Sequence, residues 1–196
     1  ANRGDEWNSV PEYHVYASAQ FKLPIERKPA TVKNTDLAVL QTKTADKKLE
    51  VSGSDMKLIF NLVNGRLESY NYKGVELFNK GPEPDFWRPP TDNDYGYGMD
   101  KLLGVWKKAG GRLSVTRANI SQPDLGKVVV SFTYDIAGTK GEKIAGYATT
   151  YTIYGSADMV IKNQFSKISD NIPEIPRMGM QMQLPEEFSN LKWLGR

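Results

Sequence analysis

The stretch Tyr147-Ala148-Thr149-Thr150-Tyr151-Thr152-Ile153 decides the fold class of this chain. Its side chains alternate with a period of two, the period of a β-strand, in which successive side chains point to opposite faces. The signal recurs from residue 49 onward, with glycines between the segments where hairpin turns need them. We therefore predict an all-β protein, a sandwich of antiparallel sheets. The other predicted strands are Met56–Phe60, Leu67–Tyr72, Leu113–Ala118, Val128–Tyr134, Met159–Phe165 and Met178–Leu184.

The last of these strands carries a row of apolar side chains at strand spacing. Core packing is predicted for this row in preference to any role as ligands, because methionines at this spacing share one face. The row consists of Met178, Met180, Met182 and Leu184.

The N-terminal part of the chain has a different organisation. An alternating run over residues 12–23 predicts a half-buried strand with His14 facing outward. Pro24 and the polar composition of Glu26–Thr35 interrupt the pattern and are typical of a linker. We place a boundary near residues 24–48, with a short strand predicted at Leu37–Leu40 inside it.

One helix is predicted near residues 99–109. It ends before Gly110-Gly111, and Asp100 lies where the positive end of the helix dipole favours a carboxylate. Because it directly follows a polar loop, its apolar stripe should anchor that loop to a sheet. The stripe consists of Met99, Leu102, Leu103 and Trp106.

Composition excludes several classes of site. The 196 residues carry 26 Lys and Arg against 23 Asp and Glu, so the net charge of +3 does not indicate a nucleic-acid partner. Without cysteine, and with His14 as the only histidine, disulfides, thiol nucleophiles, multi-histidine metal sites and the usual Ser-His-Asp relay are excluded. No apolar run reaches the ~18 residues that span a bilayer. We expect a soluble protein and leave cytoplasm and periplasm open.

Sugar-compatible chemistry is concentrated in Phe86-Trp87-Arg88-Pro89-Pro90-Thr91-Asp92-Asn93-Asp94-Tyr95-Gly96. The two prolines and the turn-forming residues after them predict a stiff loop that displays its side chains. The structural alternative is that the aromatics are buried and the carboxylates bind local amides. We predict that Arg88 binds Asp92, Asp94 or loop carbonyls, because its rigid fork suits a carboxylate better than a neutral sugar.

Two chemical interpretations of this loop fail. A calcium loop is excluded because the glycine comes one position too early and Leu103 stands where the bidentate acid is needed. A glycosidase pair of Asp92 and Asp94 is disfavoured, because neighbours in one loop rarely face each other across a sugar at ~5–9 Å. We therefore predict neither a calcium site nor a catalytic carboxylate pair in this loop, while carboxylate, tyrosine or lysine chemistry stays possible for the chain on composition alone.

A series of motifs carries a family resemblance. They are Asn64-Gly65-Arg66-Leu67-Glu68-Ser69-Tyr70, Lys73-Gly74-Val75-Glu76-Leu77, Phe86 to Gly96, Trp106-Lys107-Lys108-Ala109-Gly110, Arg177-Met178-Gly179-Met180 and Trp193-Leu194-Gly195-Arg196. In this order they resemble the C-terminal β-sandwich, or small-chain, domain of the β-galactosidases of glycoside hydrolase family 2. Residues 12–23 resemble the last strand of the immunoglobulin-like domain that precedes it in that family.

The resemblance implies three segments. Residues 1–28 would end an immunoglobulin-like domain, residues 29–48 would form a linker, and residues 49–196 would be the N-terminal part of a galactose-mutarotase-like supersandwich. Because the family's domain continues beyond the motif that ends at Arg196, the resemblance also implies exposed edges that favour self-association into a homo-oligomer.

The resemblance further implies an accessory, non-catalytic segment of a β-galactosidase that hydrolyses terminal β-galactosides. The family's two catalytic glutamates belong to a barrel of which no motif occurs here, so we expect the isolated chain to be inactive. The implied partners are the remaining domains of the same polypeptide and a carbohydrate substrate. No cofactor is expected in this chain, and Mg²⁺ or Na⁺ ions of a full enzyme would bind elsewhere.

In this family the segment after the Asp-Asn-Asp motif lies toward the mouth of the barrel's active site, so Gly96–Lys101 would be a substrate-side loop. The candidate site residues are Arg88, Asp92, Asn93, Asp94, Gly96 and Tyr97.

Two other hypotheses stay open. A stand-alone carbohydrate-binding β-sandwich would use Trp87 or Trp106 as a stacking platform. An aldose-epimerase-like enzyme rests on fold analogy alone and is disfavoured, because His14 falls outside the domain.

Overall fold

The computed structural model describes residues 37–168 and 172–193, together with residues 19, 21 and 24. The chain divides into two compact units, Ala1–Thr31 with Asn190–Arg196, and Val32–Ser189. All regular elements of the described residues lie in the second unit. His14, the linker at Glu26–Thr35, nearly all of the strand predicted at residues 12–23 and residues 194–196 of the closing motif lie outside the described residues.

Strands make up most of the regular secondary structure of the second unit. The strands are β1 (Gln41–Ala45), β2 (Lys48–Ser52), β3 (Met56–Asn61), β4 (Leu67–Tyr72), β5 (Val75–Glu76), β6 (Lys80–Asp85), β7 (Leu113–Asp124), β8 (Lys127–Ala137), β9 (Lys143–Tyr154), β10 (Met159–Lys167) and β11 (Gly179–Gln183).

These strands form three antiparallel sheets. One sheet has the order β1-β2-β3-β4-β5, the second has the order β10-β9-β8-β7, and β11 pairs with β6 in the third. The prediction of an all-β fold with antiparallel sheets is therefore confirmed.

Alternation of buried side chains explains how the sheets pack. Along β8, Val128, Val130, Phe132 and Tyr134 are buried, while the residues between them are more exposed. Phe60 of β3 contacts these strands from the five-stranded sheet: its ring centroid lies 5.1 Å from that of Tyr151 and 6.4 Å from that of Phe132. The core therefore lies between the two larger sheets, where apolar burial supplies most of the driving force for folding.

A helical segment connects β6 to β7. It consists of α1 (Asp92–Tyr97), α2 (Met99–Leu102) and two 3₁₀ turns at Gly104–Trp106 and Ala109–Gly111. The sequence predicted one short helix near 99–109 and a loop up to Gly96. The loop prediction is wrong for Asp92–Tyr97, which are helical, and Gly98, with φ of 79°, separates α1 from α2. The predicted apolar stripe is wrong for Leu102, which is 55 % exposed. Its other members, Met99, Leu103 and Trp106, are buried as predicted.

The strand expectations hold with two corrections. The short strand predicted at Leu37–Leu40 is wrong, because these residues lie outside the strands and β1 begins at Gln41, within the residues 29–48 assigned to a linker. Core packing of the apolar row is also wrong for three of its four members, because Met178, Met182 and Leu184 are 53 %, 60 % and 45 % exposed.

No helix in the described part of the chain is both long and apolar enough to cross a membrane.

Candidate functional site

The polar segment after β6 is organised by one carboxylate. Asp94 accepts a hydrogen bond from the Arg88 Nη2 group at 2.8 Å, and Nη1 of the same guanidinium donates to its other oxygen. The backbone N–H and the hydroxyl of Thr91 donate to the Asp94 carboxylate at 2.8 and 2.9 Å. Because Thr91 is the N-cap of α1, these bonds fix the start of the helix.

This arrangement determines the charge state of Asp94. Hydrogen bonds from Arg88, and then from the Thr91 backbone, hold the pKa of the Asp94 carboxyl far below its ordinary value. The Asp94 partner in turn raises the pKa of the Arg88 guanidinium. Asp94 therefore stays ionised and is unsuited to be a general acid near neutral pH.

The fold brings only Arg88 and Asp94 of the predicted site residues into contact. Asp92, Asn93 and Gly96 are exposed, and Tyr97 is 57 % exposed. Within the described residues, the side chains of Asp92, Asn93 and Tyr97 form no hydrogen bond or ion pair that would hold them. The segment thus combines a fixed base with an outward face of free polar and aromatic groups.

The aromatic residues beside this segment belong mostly to the core. Phe86 and Trp106 are buried, and both contact the ring of Phe165 at centroid distances of 6.0 and 5.9 Å. The Trp106 indole N–H donates to the Pro173 carbonyl at 3.0 Å. Trp106 therefore cannot be a stacking platform. Trp87 is half-buried, and Lys107 Nζ lies 5.6 Å from its ring centroid.

A second polar feature, which the sequence did not predict, is a cleft of about 250 Å³. Its lining includes Arg66, Glu83, Tyr134, Thr149 and Tyr151. We call it the Glu83 cleft. Glu83 comes from β6, whereas Tyr134, Thr149 and Tyr151 lie on the inner faces of β8 and β9. Burial raises the pKa of the Tyr151 hydroxyl well above its ordinary value, so this group remains protonated.

Within the described residues, no group of three or more His, Asp or Glu side chains is arranged to hold a metal ion.

Comparison with known proteins gives a consistent result. The sequence model of a family described as β-galactosidase small chain matches residues 52–196. A β-galactosidase of Priestia megaterium is 32 % identical over 180 residues, which cover 92 % of this chain and 17 % of that protein. A β-galactosidase of Streptococcus thermophilus is 27 % identical over 97 % of this chain and 17 % of its own length. One of Kluyveromyces lactis is 26 % identical over 93 % of this chain and 18 % of its own length. The chain therefore spans less than a fifth of each of these relatives.

Proposed function

Because this chain belongs to the β-galactosidase small-chain family, we propose that it acts as an accessory, non-catalytic segment of a β-galactosidase that hydrolyses terminal β-galactosides. The observation that carries the proposal is the family match over residues 52–196, together with relatives that bear the name β-galactosidase. Hydrolysis with retention needs two carboxyl groups about 5 Å apart, one of them with a raised pKa. We assign that pair to another part of the enzyme.

The electrostatics of the Arg88 segment support a non-catalytic role for this chain. Asp94 is the most strongly held carboxylate of the segment, and its pKa is lowered, the opposite of what the acid of a glycosidase needs. Both of its oxygens already accept hydrogen bonds from Arg88 and Thr91. The segment is therefore better suited to hold a shape than to transfer a proton.

We further assign α1 to the border of the substrate cleft. In this proposal the pair Arg88–Asp94 fixes the base of the helix, and Asp92, Asn93, Gly96 and Tyr97 face the substrate or the neighbouring domains. The partners are the remaining domains of a β-galactosidase polypeptide, and Mg²⁺ or Na⁺ ions bind outside this chain.

A chimera tests the proposal. This chain replaces the matching segment of the Priestia megaterium β-galactosidase, and hydrolysis of a chromogenic β-galactoside is measured for the chimera, the chain alone and the relative without the segment. We expect turnover by the chimera, none by the chain alone, and reduced turnover without the segment. Turnover by the chain alone that Asp92→Asn or Asp94→Asn removes would contradict the accessory role.

Substitutions in the chimera test the position of α1. Tyr97→Ala should raise KM or lower kcat, because it removes an exposed aromatic group from the proposed border. Leu125→Ala is the control, since Leu125 is 68 % exposed in the turn between β7 and β8. Equal kinetics for the two variants would remove α1 from the substrate cleft and leave the accessory role itself intact.

The alternative hypothesis, a stand-alone carbohydrate-binding module, needed Trp87 or Trp106 as the ring on which a sugar stacks. Trp106 cannot serve, because it is fully buried. Trp87 offers only a half-buried ring beside a lysine. Any sugar binding by the chain itself therefore needs a site of a different design.

A further inference from the structure

Two glycines that line the Glu83 cleft, Gly65 and Gly110, lie where a Cβ atom would clash with neighbouring atoms. Gly65 has φ of +70°, and a Cβ atom there would lie 2.3 Å from the Tyr134 hydroxyl oxygen. A Cβ atom on Gly110, across the cleft, would lie 2.1 Å from the Pro84 carbonyl oxygen. Glycine at these two positions lets the walls approach the buried strands closely. The cleft is therefore part of the packed structure of this unit.

The inner wall presents hydroxyl groups that have unused hydrogen-bonding capacity. Tyr151 is 2 % exposed as a residue, and it lines the cleft. The Tyr134 hydroxyl donates to the Gly65 carbonyl at 2.8 Å, and the Thr149 hydroxyl donates to Asn163 Oδ1 at 2.9 Å. Both keep lone pairs that can accept. A tyrosine hydroxyl both donates and accepts hydrogen bonds, so a wall with Tyr134 and Tyr151 suits a polar occupant.

The outer wall adds a carboxylate with spare acceptor capacity. Glu83 has a side chain that is 9 % exposed, with Arg66 Nη1 at 2.6 Å from Oε1 and Lys80 Nζ at 2.8 Å from Oε2. Oε1 is buried and accepts no hydrogen bond of suitable geometry. The cations offset the charge. Because Oε1 is buried, an occupant of the cleft would meet the Arg66 guanidinium, which is 46 % exposed, and the remaining exposed part of the Glu83 side chain.

Size and chemistry together restrict the occupant. Clefts for drug-sized ligands occupy ~300–1,000 Å³, so a cleft of about 250 Å³ suits a single small ring. An apolar ligand would displace water from the polar groups that line the cleft without replacing its hydrogen bonds, which costs free energy. An anion would meet the Glu83 carboxylate. A ligand rich in neutral hydroxyl groups can donate to Glu83 and both donate to and accept from the tyrosine hydroxyls.

We propose that the Glu83 cleft binds a small neutral polyol, a monosaccharide or a cyclitol, through Glu83, Tyr151 and the hydroxyls of Tyr134 and Thr149. This site lies on β6, β8 and β9 and is separate from the border assigned to α1. It requires no catalytic activity of the chain.

Nuclear magnetic resonance of the 196-residue chain tests the proposal. D-galactose, D-glucose and myo-inositol are titrated separately into the ¹⁵N-labelled chain at millimolar concentrations. We expect saturable shifts with at least one of them at the amides of Gly65, Gly110 and Gly111, which border the cleft. The amides of Gly96 and Gly98, in and after α1, should not move. Saturable shifts confined to those two glycines would overturn the proposal and point to α1.

Matched variants separate binding from folding. Tyr151→Phe removes one hydroxyl and keeps the ring, so affinity should fall about tenfold. Tyr154→Phe is the control, because Tyr154 lies on the same strand on the face away from the core, with Lys127 Nζ 5.8 Å from its ring centroid. Glu83→Gln gives a second loss of affinity that does not depend on Tyr151. Circular dichroism verifies that each variant is folded.

Three further results would overturn the assignment. The first is the absence of saturable shifts with any of the three polyols. The second is unchanged affinity in both Tyr151→Phe and Glu83→Gln. The third is saturation by acetate or inorganic phosphate and by no polyol, which would identify the cations at the mouth as an anion site.

Discussion

Arg88 and Asp94 form a bidentate ion pair at the start of α1. The guanidinium fork matches a carboxylate in plane and spacing, and the sequence placed two carboxylates within reach. The structure selects Asp94, because α1 starts at Asp92 and brings the third helical position back over the N-cap Thr91. The pairing was predictable from the residues, whereas the choice between Asp92 and Asp94 required the helix.

The pair predicts a pH-dependent stability. The folded pKa of Asp94 is lowered, so its contribution is fully present above the unfolded value of about 4 and is lost as pH falls toward the folded value. Arg88→Ala should therefore lower the Tm at pH 7 by a few degrees, and the difference from wild type should shrink below about pH 4. Thermal melts between pH 3 and pH 8 check this. Lys101→Ala is the control, and a deficit that is the same at all pH values would contradict the assignment.

Gly65 gives a second prediction at this scale. Gly65→Ala should lower the free energy of unfolding by more than the ~1–2 kcal/mol that a left-handed residue with a Cβ costs, because Tyr134 occupies the space. Gly74→Ala is the matched control, since Gly74 has φ of +84° and nothing within 4 Å of its Cβ position. Urea denaturation of both variants measures the difference. Equal losses would show that Tyr134 moves aside without cost.

At the scale of elements, the alternation of apolar and polar side chains predicted the long strands. It did not predict the strands that form because a neighbouring strand pairs with them. β6 has the sequence Lys-Gly-Pro-Glu-Pro-Asp, and glycine and proline in a strand normally indicate a turn. It becomes a strand because β11 pairs with one of its edges. Within the described residues no strand pairs with its other edge, where proline is tolerated. β1 is exposed at every residue, so it has no hydrophobic pattern to read. Both depend on pairing partners that a local pattern does not contain.

The helical segment between β6 and β7 gives a prediction that separates its two faces. Met99 is 1 % exposed and Leu102 is 55 % exposed, although both lie in α2. Met99→Ala should lower the free energy of unfolding by about 2–5 kcal/mol, because it leaves a cavity in the core. Leu102→Ala should change it by no more than ~0.5 kcal/mol. Chemical denaturation checks both values, and similar losses would restore the stripe predicted from the sequence.

For the whole molecule, burial predicts the order of local stability. β8 and β9 are central strands, each flanked on both sides and alternately buried, while β7 is an edge strand whose side chains are largely exposed. Hydrogen exchange should therefore be slowest for amides of β8 and β9 and faster for the amides of β7 that face away from β8. Mass spectrometry of peptides from each strand measures this. Uniform protection across the four-stranded sheet would contradict it.

At the same scale, the two candidate sites differ in how much of each could be predicted from the sequence. The Arg88 segment is continuous, so its chemistry is visible in eleven residues of sequence from Phe86 to Gly96. The Glu83 cleft collects residues from β6, β8 and β9, and its tyrosines read as ordinary core positions. Only the packing of the sheets brings these side chains together around one cleft. The assignments of residues 1–28, 29–48 and 49–196 to separate segments remain predictions.

The pairing of β6 with β11 also has a consequence for the order of folding. Every other strand pair joins strands that follow one another in the chain, so two meanders can form from local hairpins. The β6–β11 pair must close a loop that contains all of β7, β8, β9 and β10, and long closures cost more entropy and slow folding. We therefore expect this pair to form last. A refolding chain that has completed both meanders would still lack the wall that carries Glu83, so its ability to bind a ligand would appear later than its secondary structure.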